Sequence, residues 1–135
     1  MDERFSRTAM LLGNAAIHRL AQARVAVFGI GGVGGYAAEA LARGGIGSLD
    51  LIDRDRVSIS NINRQIIATT QTLGKEKAQA MKERILDINP QAKVQAHCCF
   101  FLPDTAGQFD FRQYDYIVDA VDTVTAKIHL AVKAQ

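Results

Sequence analysis

Cysteine is scarce in this chain: its 135 residues hold two, the adjacent pair Cys98-Cys99. Neighbouring cysteines rarely bridge without backbone strain, and one pair builds no disulfide framework. It builds no zinc site either, since a second cysteine pair is lacking. His97 beside it reads as a strand residue among small apolar neighbours. An excess of one charge is lacking too. Lys and Arg number 16 against 14 Asp and Glu, and the resulting +2 gives no argument for nucleic acid. No apolar run approaches the ~20 residues needed to cross a bilayer. The opening Met1-Asp2-Glu3-Arg4 does not resemble a signal peptide. A cytoplasmic location without a membrane partner is the expectation.

What is present is an ordinary soluble composition, 48% apolar and 22% charged, in a length that suits about one domain. Residues 1–23 read as an N-terminal helical segment, with Leu11, Leu12, Ala15, Ala16 and Leu20 giving an amphipathic helix over 5–22. Residues 24–135 read as a nucleotide-binding domain. Arg24-Val-Ala-Val-Phe28 is a short apolar run of the kind buried on both faces of a sheet. A glycine turn follows, then a helix to about Arg43, stopped by Gly44-Gly45. Ser48-Leu49-Asp50-Leu51-Ile52 is a second strand; strand, helix, strand in that order predicts a right-handed crossover of parallel strands.

Beyond it, Ala78, Met81, Ile85 and Ile88 form one apolar stripe on a helix expected from Lys75 to Asn89, closed by Pro90. Lys93 to Cys99 reads as a strand, 102–115 as an irregular connection with a helical turn, and Tyr116 to Val121 as a further buried strand. Thr123 or Thr125 would open a last helix. The fold class is α/β: a Rossmann-like, doubly wound, mainly parallel sheet with helices on both faces. Because the sequence stops at Gln135 inside that helix, it reads as the front part of a larger protein.

Two polar motifs carry the chemistry. Gly29-x-Gly31-x-x-Gly34, with Gly32 between, has dinucleotide-fingerprint spacing. The first glycine permits the tight turn, the second lets backbone approach phosphate, and the third lets helix and strand pack closely. N–H groups at the helix start then face an anion. Asp53, nineteen residues past Gly34, ends the second strand where it can accept from ribose hydroxyls, or cap a turn, as Asp55 could equally. Directly after comes Ser60-Asn61-Ile62-Asn63-Arg64-Gln65, which packs amides, a hydroxyl and a guanidinium beyond the strand's carboxyl end. A solvated loop is the plain alternative.

Lys77 follows Arg64 by thirteen residues, on the first turn of the next helix. A cation is disfavoured there by the macrodipole, so Lys75 and Lys77 invite an anionic ligand, although most such lysines are solvated. Asp122 is expected to end the last strand, on the same edge as the glycine turn, where a carboxylate can hold Mg²⁺ or cap the following helix. Asp119 is expected mid-strand. A carboxylate attacking the α-phosphorus of ATP brings anion to anion. Arg64, Lys77 and an Asp122-bound Mg²⁺ would then offset charge on the leaving pyrophosphate. Hydride transfer needs no such cluster, so adenylation is favoured over an NAD-binding oxidoreductase or sensor.

These residues resemble the ubiquitin-activating-type adenylyltransferases, the superfamily of the molybdopterin- and thiamine-pathway activators, from Arg4 to about Lys127. The most specific piece is D-x-D-x-V-x-x-S-N-x-N-R-Q from Asp53, followed by the lysine of Gly74-Lys75-Glu76-Lys77. Within it, the stretches Gly29–Arg43, Asn63–Ile66 and Asp119–Lys127 are most similar to the tRNA threonylcarbamoyladenosine dehydratases; Thr123 departs from many members. The resemblance implies that Asp53 binds ribose, that Asn61, Arg64 and Lys77 serve the phosphates, and that Asp122 holds Mg²⁺. Arg7 would reach across a homodimer into the partner's ATP site. It implies ATP and Mg²⁺ as cofactors and tRNA as substrate: the carboxylate of the threonylcarbamoyl group becomes an acyl-adenylate, and a nearby atom displaces AMP to close a ring. A ubiquitin-like sulfur-carrier protein is the alternative partner. The acceptor surface, any acceptor cysteine and any zinc-binding pairs would lie beyond Gln135.

Overall fold

The computed structural model describes residues 2–99, 107, 109–122 and 124–135. Its centre is a four-stranded, all-parallel sheet of β1 (Arg24–Phe28), β2 (Ser48–Ile52), β3 (Lys93–His97) and β4 (Tyr116–Asp119), in the order β3-β2-β1-β4. The helices are α1 (Ser6–Leu12), α2 (Asn14–Gln22), α3 (Gly34–Arg43), α4 (Lys77–Ile88) and α5 (Val124–Ala134). None among the described residues is long and apolar enough to cross a membrane.

Strand alternation divides the core into two layers. Val25, Val27, Leu49 and Leu51 face Ala38 and Ala42 of α3 and Ala78, Met81 and Ile85 of α4. Ala26, Phe28 and Ile52 face the other way, against Phe109 and Leu130 of α5. β1 and β2 are therefore apolar at almost every position because both of their faces are covered. The small residues of α3 let the helix lie close to the sheet. Burying a side chain the size of Ile85 contributes about 2–3 kcal/mol.

One polar side chain breaks the second layer. Asp50, 2% exposed, takes both Arg24 Nε and Nη2 at 3.0 Å, meets His97 Nε2 at 3.0 Å, and accepts from the Tyr114 hydroxyl at 3.3 Å. Arg24 also lies over the Tyr114 ring. Burial first, then the Asp50 charge, pushes the Tyr114 phenol up to about 12. The network ties the 109–115 segment to β1, where Arg24 N also donates to Asp115 at 2.8 Å.

Four element boundaries differ from the sequence expectation. The expected helix over 5–22 is a 3-10 turn, Glu3–Phe5, and two helices broken at Gly13, whose φ is +88°. The helix expected from Lys75 begins at Lys77, because an antiparallel bridge pairs Arg56 with Glu76 and holds that residue extended. β3 ends at His97, two residues before Cys99. β4 ends at Asp119, not Val121 or Asp122, because the Asp119 carboxylate accepts from Val121 N at 3.3 Å and turns the chain out of the ladder. The 102–115 connection contains the 3-10 turn Phe111–Gln113, while 102–106 and 108, and Thr123 as a helix start, lie outside the described residues.

Candidate functional site

The order β3-β2-β1-β4 reverses direction between β1 and β4, and parallel sheets bind ligands in the crevice at the carboxyl ends of such neighbours. The glycine turn occupies that place. Gly29 has φ +95°, and a Cβ on it would lie 2.5 Å from the Ala120 carbonyl oxygen. On Gly34 a Cβ would overlap the Gly29 carbonyl oxygen. Both glycines are thus required by the packing of the chain itself. Gly31 and Gly32 are different. A Cβ there would meet only Gln65 Nε2 at 3.8 Å and Arg64 Cγ at 3.9 Å, which are ordinary contacts. The protein leaves that cradle open, and a bound phosphate would need it.

Asp53, half-buried at the end of β2, fastens the turn. Its Oδ2 accepts from Ile30 N at 2.7 Å and its Oδ1 from Asp55 N at 2.7 Å. Each oxygen keeps a lone pair for another donor. Asp55 is exposed, and its carbonyl accepts from Lys77 N at 2.9 Å, so this loop also sets the start of α4.

The polar run after β2 folds back over the turn. Asn61 is buried, its Oδ1 accepting from Ser58 N at 2.9 Å and Ser58 Oγ at 3.0 Å, a reciprocal cap of the 3-10 turn Ile59–Asn61. Its carboxamide oxygen therefore shapes the loop. Arg64 is exposed, and among the described residues its guanidinium donates only to neutral acceptors, Ser60 O and Asn63 Oδ1, both at 3.0 Å. Gln65 is 7% exposed beside Gly31, and its Oε1 is buried with no hydrogen-bond partner among the described residues.

Lys77 is the sharpest feature. Only 7% of it is exposed, it opens α4, and its ammonium has no ion pair or hydrogen bond among the described residues. Lys75 is different: it is exposed and paired with Glu83 at 3.0 Å. The Lys77 stem is fixed by packing while its charged end is free to meet an anion.

At the end of β4, sequence reasoning misplaced one carboxylate. Asp119 lies at the strand end, in register with Phe28, and pairs with Lys127 at 3.2 Å. Asp122 is three residues further, exposed and without a partner among the described residues. Arg7 is exposed on α1 and does not join this cluster. Phe5, two residues before it, packs on Gly45 at the opposite edge of the sheet. Cys98 and Cys99 lie just past β3, and burial pushes both thiols up, which leaves them poor nucleophiles. No group of three His, Cys, Asp or Glu side chains placed to hold a metal occurs among the described residues.

Parallel strands, a glycine turn at the switch point and a strand-end carboxylate pinning it define a Rossmann-like α/β protein. The chain belongs to the ThiF family, which it matches over residues 5–135. It is 46% identical over 130 residues to the tRNA threonylcarbamoyladenosine dehydratase of Bacillus subtilis, covering 96% of this chain and 51% of that protein. It superposes on the Escherichia coli tRNA N6-threonylcarbamoyladenosine dehydratase in complex with ATP with a TM-score of 0.92 and 47% identity, over 95% of this chain and 53% of that one. It is also 36% identical over 126 residues to a probable adenylyltransferase/sulfurtransferase, MoeZ, of Mycobacterium tuberculosis, covering 92% of this chain and 32% of that protein. The chain spans about half the length of the dehydratases it matches.

Proposed function

We propose that this chain is the ATP-binding part of an enzyme that activates a carboxylate as an acyl-adenylate, acting on threonylcarbamoyladenosine in tRNA. The observation that carries the reading is Lys77, whose stem is packed into the fold while its ammonium has no partner among the described residues, on the same carboxyl edge as the open cradle at Gly31 and Gly32. The dehydratase solved with ATP, at 47% identity, supports the nucleotide, and the dehydratase relatives support the substrate.

In this reading Asp53 accepts from the ribose while it holds Ile30 and Asp55. The N–H groups from Gly31 to Gly34 receive phosphate oxygens, with Asn61 and Gln65 forming the wall behind. A substrate carboxylate oxygen bonds to the α-phosphorus as the bond to pyrophosphate breaks. Arg64 and Lys77 carry the charge that gathers on the departing group, and Arg64 gives up its neutral acceptors to do so. A nearby nucleophilic atom of the same modification then attacks the acyl carbon, AMP leaves, and the ring closes with net loss of water. Mg²⁺ is bound by few carboxylates together with substrate phosphates, and the unpartnered Asp122 fits that habit. Bound there, it would supply further charge neutralisation of the phosphates.

A homodimer agrees with the surface of α1. Arg7 is unpaired among the described residues, and Met10, Leu11 and Leu12 of the same helix are exposed at 86%, 84% and 53%. Arg7 would act in the partner's site. A cytoplasmic location suits a tRNA substrate. Likeness to the adenylyltransferase/sulfurtransferase keeps a ubiquitin-like sulfur carrier as the second acceptor.

Calorimetric titration is the first test. The chain should bind Mg²⁺-ATP, and tight binding of NADH with none of ATP would reverse the reading. The second test is product release. With threonylcarbamoyladenosine-modified tRNA the full protein should release AMP and pyrophosphate, and folded protein that releases neither would refute the dehydratase assignment.

A further inference from the structure

Asp53 and Lys77 are distant in sequence but two hydrogen bonds apart in the fold. Asp53 Oδ1 accepts from Asp55 N at 2.7 Å, and Asp55 O accepts from Lys77 N at 2.9 Å. Around this link the chain forms a narrow antiparallel clip. Val57 N donates to Lys75 O at 2.8 Å, Gly74 N donates to Val57 O at 2.9 Å, and Arg56 faces Glu76 across the bridge.

The two sides of the clip are held differently. On the 55–57 side, Val57 is buried in the core and Asp55 N is fixed by the Asp53 carboxylate. On the other side, Gly74 and Lys75 are exposed and Glu76 is half-buried, and core packing resumes only at Lys77 and Ala78. One side chain straps that looser side. Arg56 Nη1 donates to Gly74 O at 2.9 Å, and its Nη2 lies 3.6 Å from Glu76 Oε1. The ion pair is exposed and long, so by itself it adds little to stability. The bond to a backbone carbonyl is different, because it fixes the path of the chain into the first turn of α4.

We infer that Arg56 is a positioning residue for Lys77. Its guanidinium is engaged by the clip and acts on the nucleotide through Lys77, by holding residues 74–76 in register with 55–57. Because the same clip carries the bond to Asp53, the ribose end and the pyrophosphate end of ATP are read by one unit. The inference rests on the roles proposed above for Asp53 and Lys77.

Two measurements on the 135-residue chain test it, and the first needs no nucleotide. Amide exchange at Lys77 N should quicken by about fivefold or more in Arg56→Met, while β1 and β2 amides keep their wild-type rates. Arg56→Lys, which can still donate to Gly74 O, should restore most of the protection. Unchanged Lys77 exchange in Arg56→Met would overturn the proposal.

The second is calorimetry with Mg²⁺-ATP and with AMP, which lacks the departing phosphates. Arg56→Met should weaken ATP by about fivefold and AMP by less than about twofold. In a chain that already carries Lys77→Met, it should weaken ATP no further. Equal losses for ATP and AMP would reduce Arg56 to a general support of the loop. A loss that persists beside Lys77→Met would make it a direct ATP ligand, and either result removes the positioning role. If the wild type binds no ATP, the nucleotide reading fails instead, and the exchange result still decides whether Arg56 holds Lys77 in place.

Discussion

The carboxylate of Asp53 accepts a 2.7 Å hydrogen bond from the backbone N–H of Ile30, which joins the end of β2 to the first turn beyond β1. The residue expected to recognise ribose therefore also shapes the phosphate loop. Asp53→Asn keeps one acceptor but turns an NH₂ group toward Ile30 N or Asp55 N. The expected outcome is a loss of stability of about 1.5–3 kcal/mol, since a charge-assisted bond is lost, with ATP binding lost as well. Urea denaturation and calorimetry on the same sample check both.

Gly34 and Gly31 should separate packing from ligand binding. Gly34→Ala places a methyl group on the Gly29 carbonyl, so the turn must shift, at a cost of about 1–3 kcal/mol. Gly31→Ala meets nothing closer than 3.8 Å. It should leave the unfolding midpoint unchanged while ATP affinity falls by tenfold or more. Equal ATP affinity in Gly31→Ala would show that the cradle does not hold phosphate.

Lys77→Met separates packing from charge. The apolar stem keeps its contacts while a charge with no partner among the described residues is removed, so the stability of the unliganded protein should change by less than about 1 kcal/mol. ATP binding should nevertheless drop at least tenfold. Chemical denaturation with and without Mg²⁺-ATP measures the two effects, and the nucleotide should stabilise the wild type far more than the variant.

Glu39 predicts the acid limb of stability. Arg84, which bonds it most strongly, and then Arg43 hold its carboxyl below the usual carboxylate range. A depressed carboxylate stabilises the fold above its unfolded pKa, about 4.5, and loses that contribution as pH falls through the lower folded value. The gap between wild type and Glu39→Gln should thus be full at pH 6 and close as pH falls below about 4.5. Tyr114 acts at the other end. Its phenol stays neutral to about 12 in the fold but ionises near 10 in the unfolded chain, so wild type should lose stability from pH 10 to 12 and Tyr114→Phe should not.

The sheet and the glycine turn were legible because their signals are local. Arg24–Phe28 and Ser48–Ile52 are strands at the residues where the apolar runs begin and end. The stripe Ala78, Met81 and Ile85 faces the core as spacing demanded. Other features depend on distant partners. The start of α4 is delayed by the bridge from Glu76 to Arg56; the early end of β4 has a local cause instead, the bond from Val121 N to the Asp119 carboxylate, which the apolar run masked. Helical periodicity runs straight through Gly13, so the break there left no trace in the pattern. The Asp50 network was invisible for the same reason: its partners Arg24, His97 and Tyr114 are 26, 47 and 64 residues away. Within the candidate site, residue types pointed to the cluster. That Lys77 would be nearly buried and Asn61 spent on its own loop required the fold.

The backing of the glycine turn by Ala120 has a consequence for the order in which this protein is made. β1 lies between two strands that both leave the ribosome after it, and β4 begins at Tyr116. A nascent chain that has passed Gln65 carries every glycine of the turn and the whole Asn-Arg-Gln run, yet it lacks the wall against which Gly29 and Gly34 close. Such a chain holds the motif without the site. The crevice cannot close before residue 120 arrives, and the glycine-rich segment must stay soluble until then.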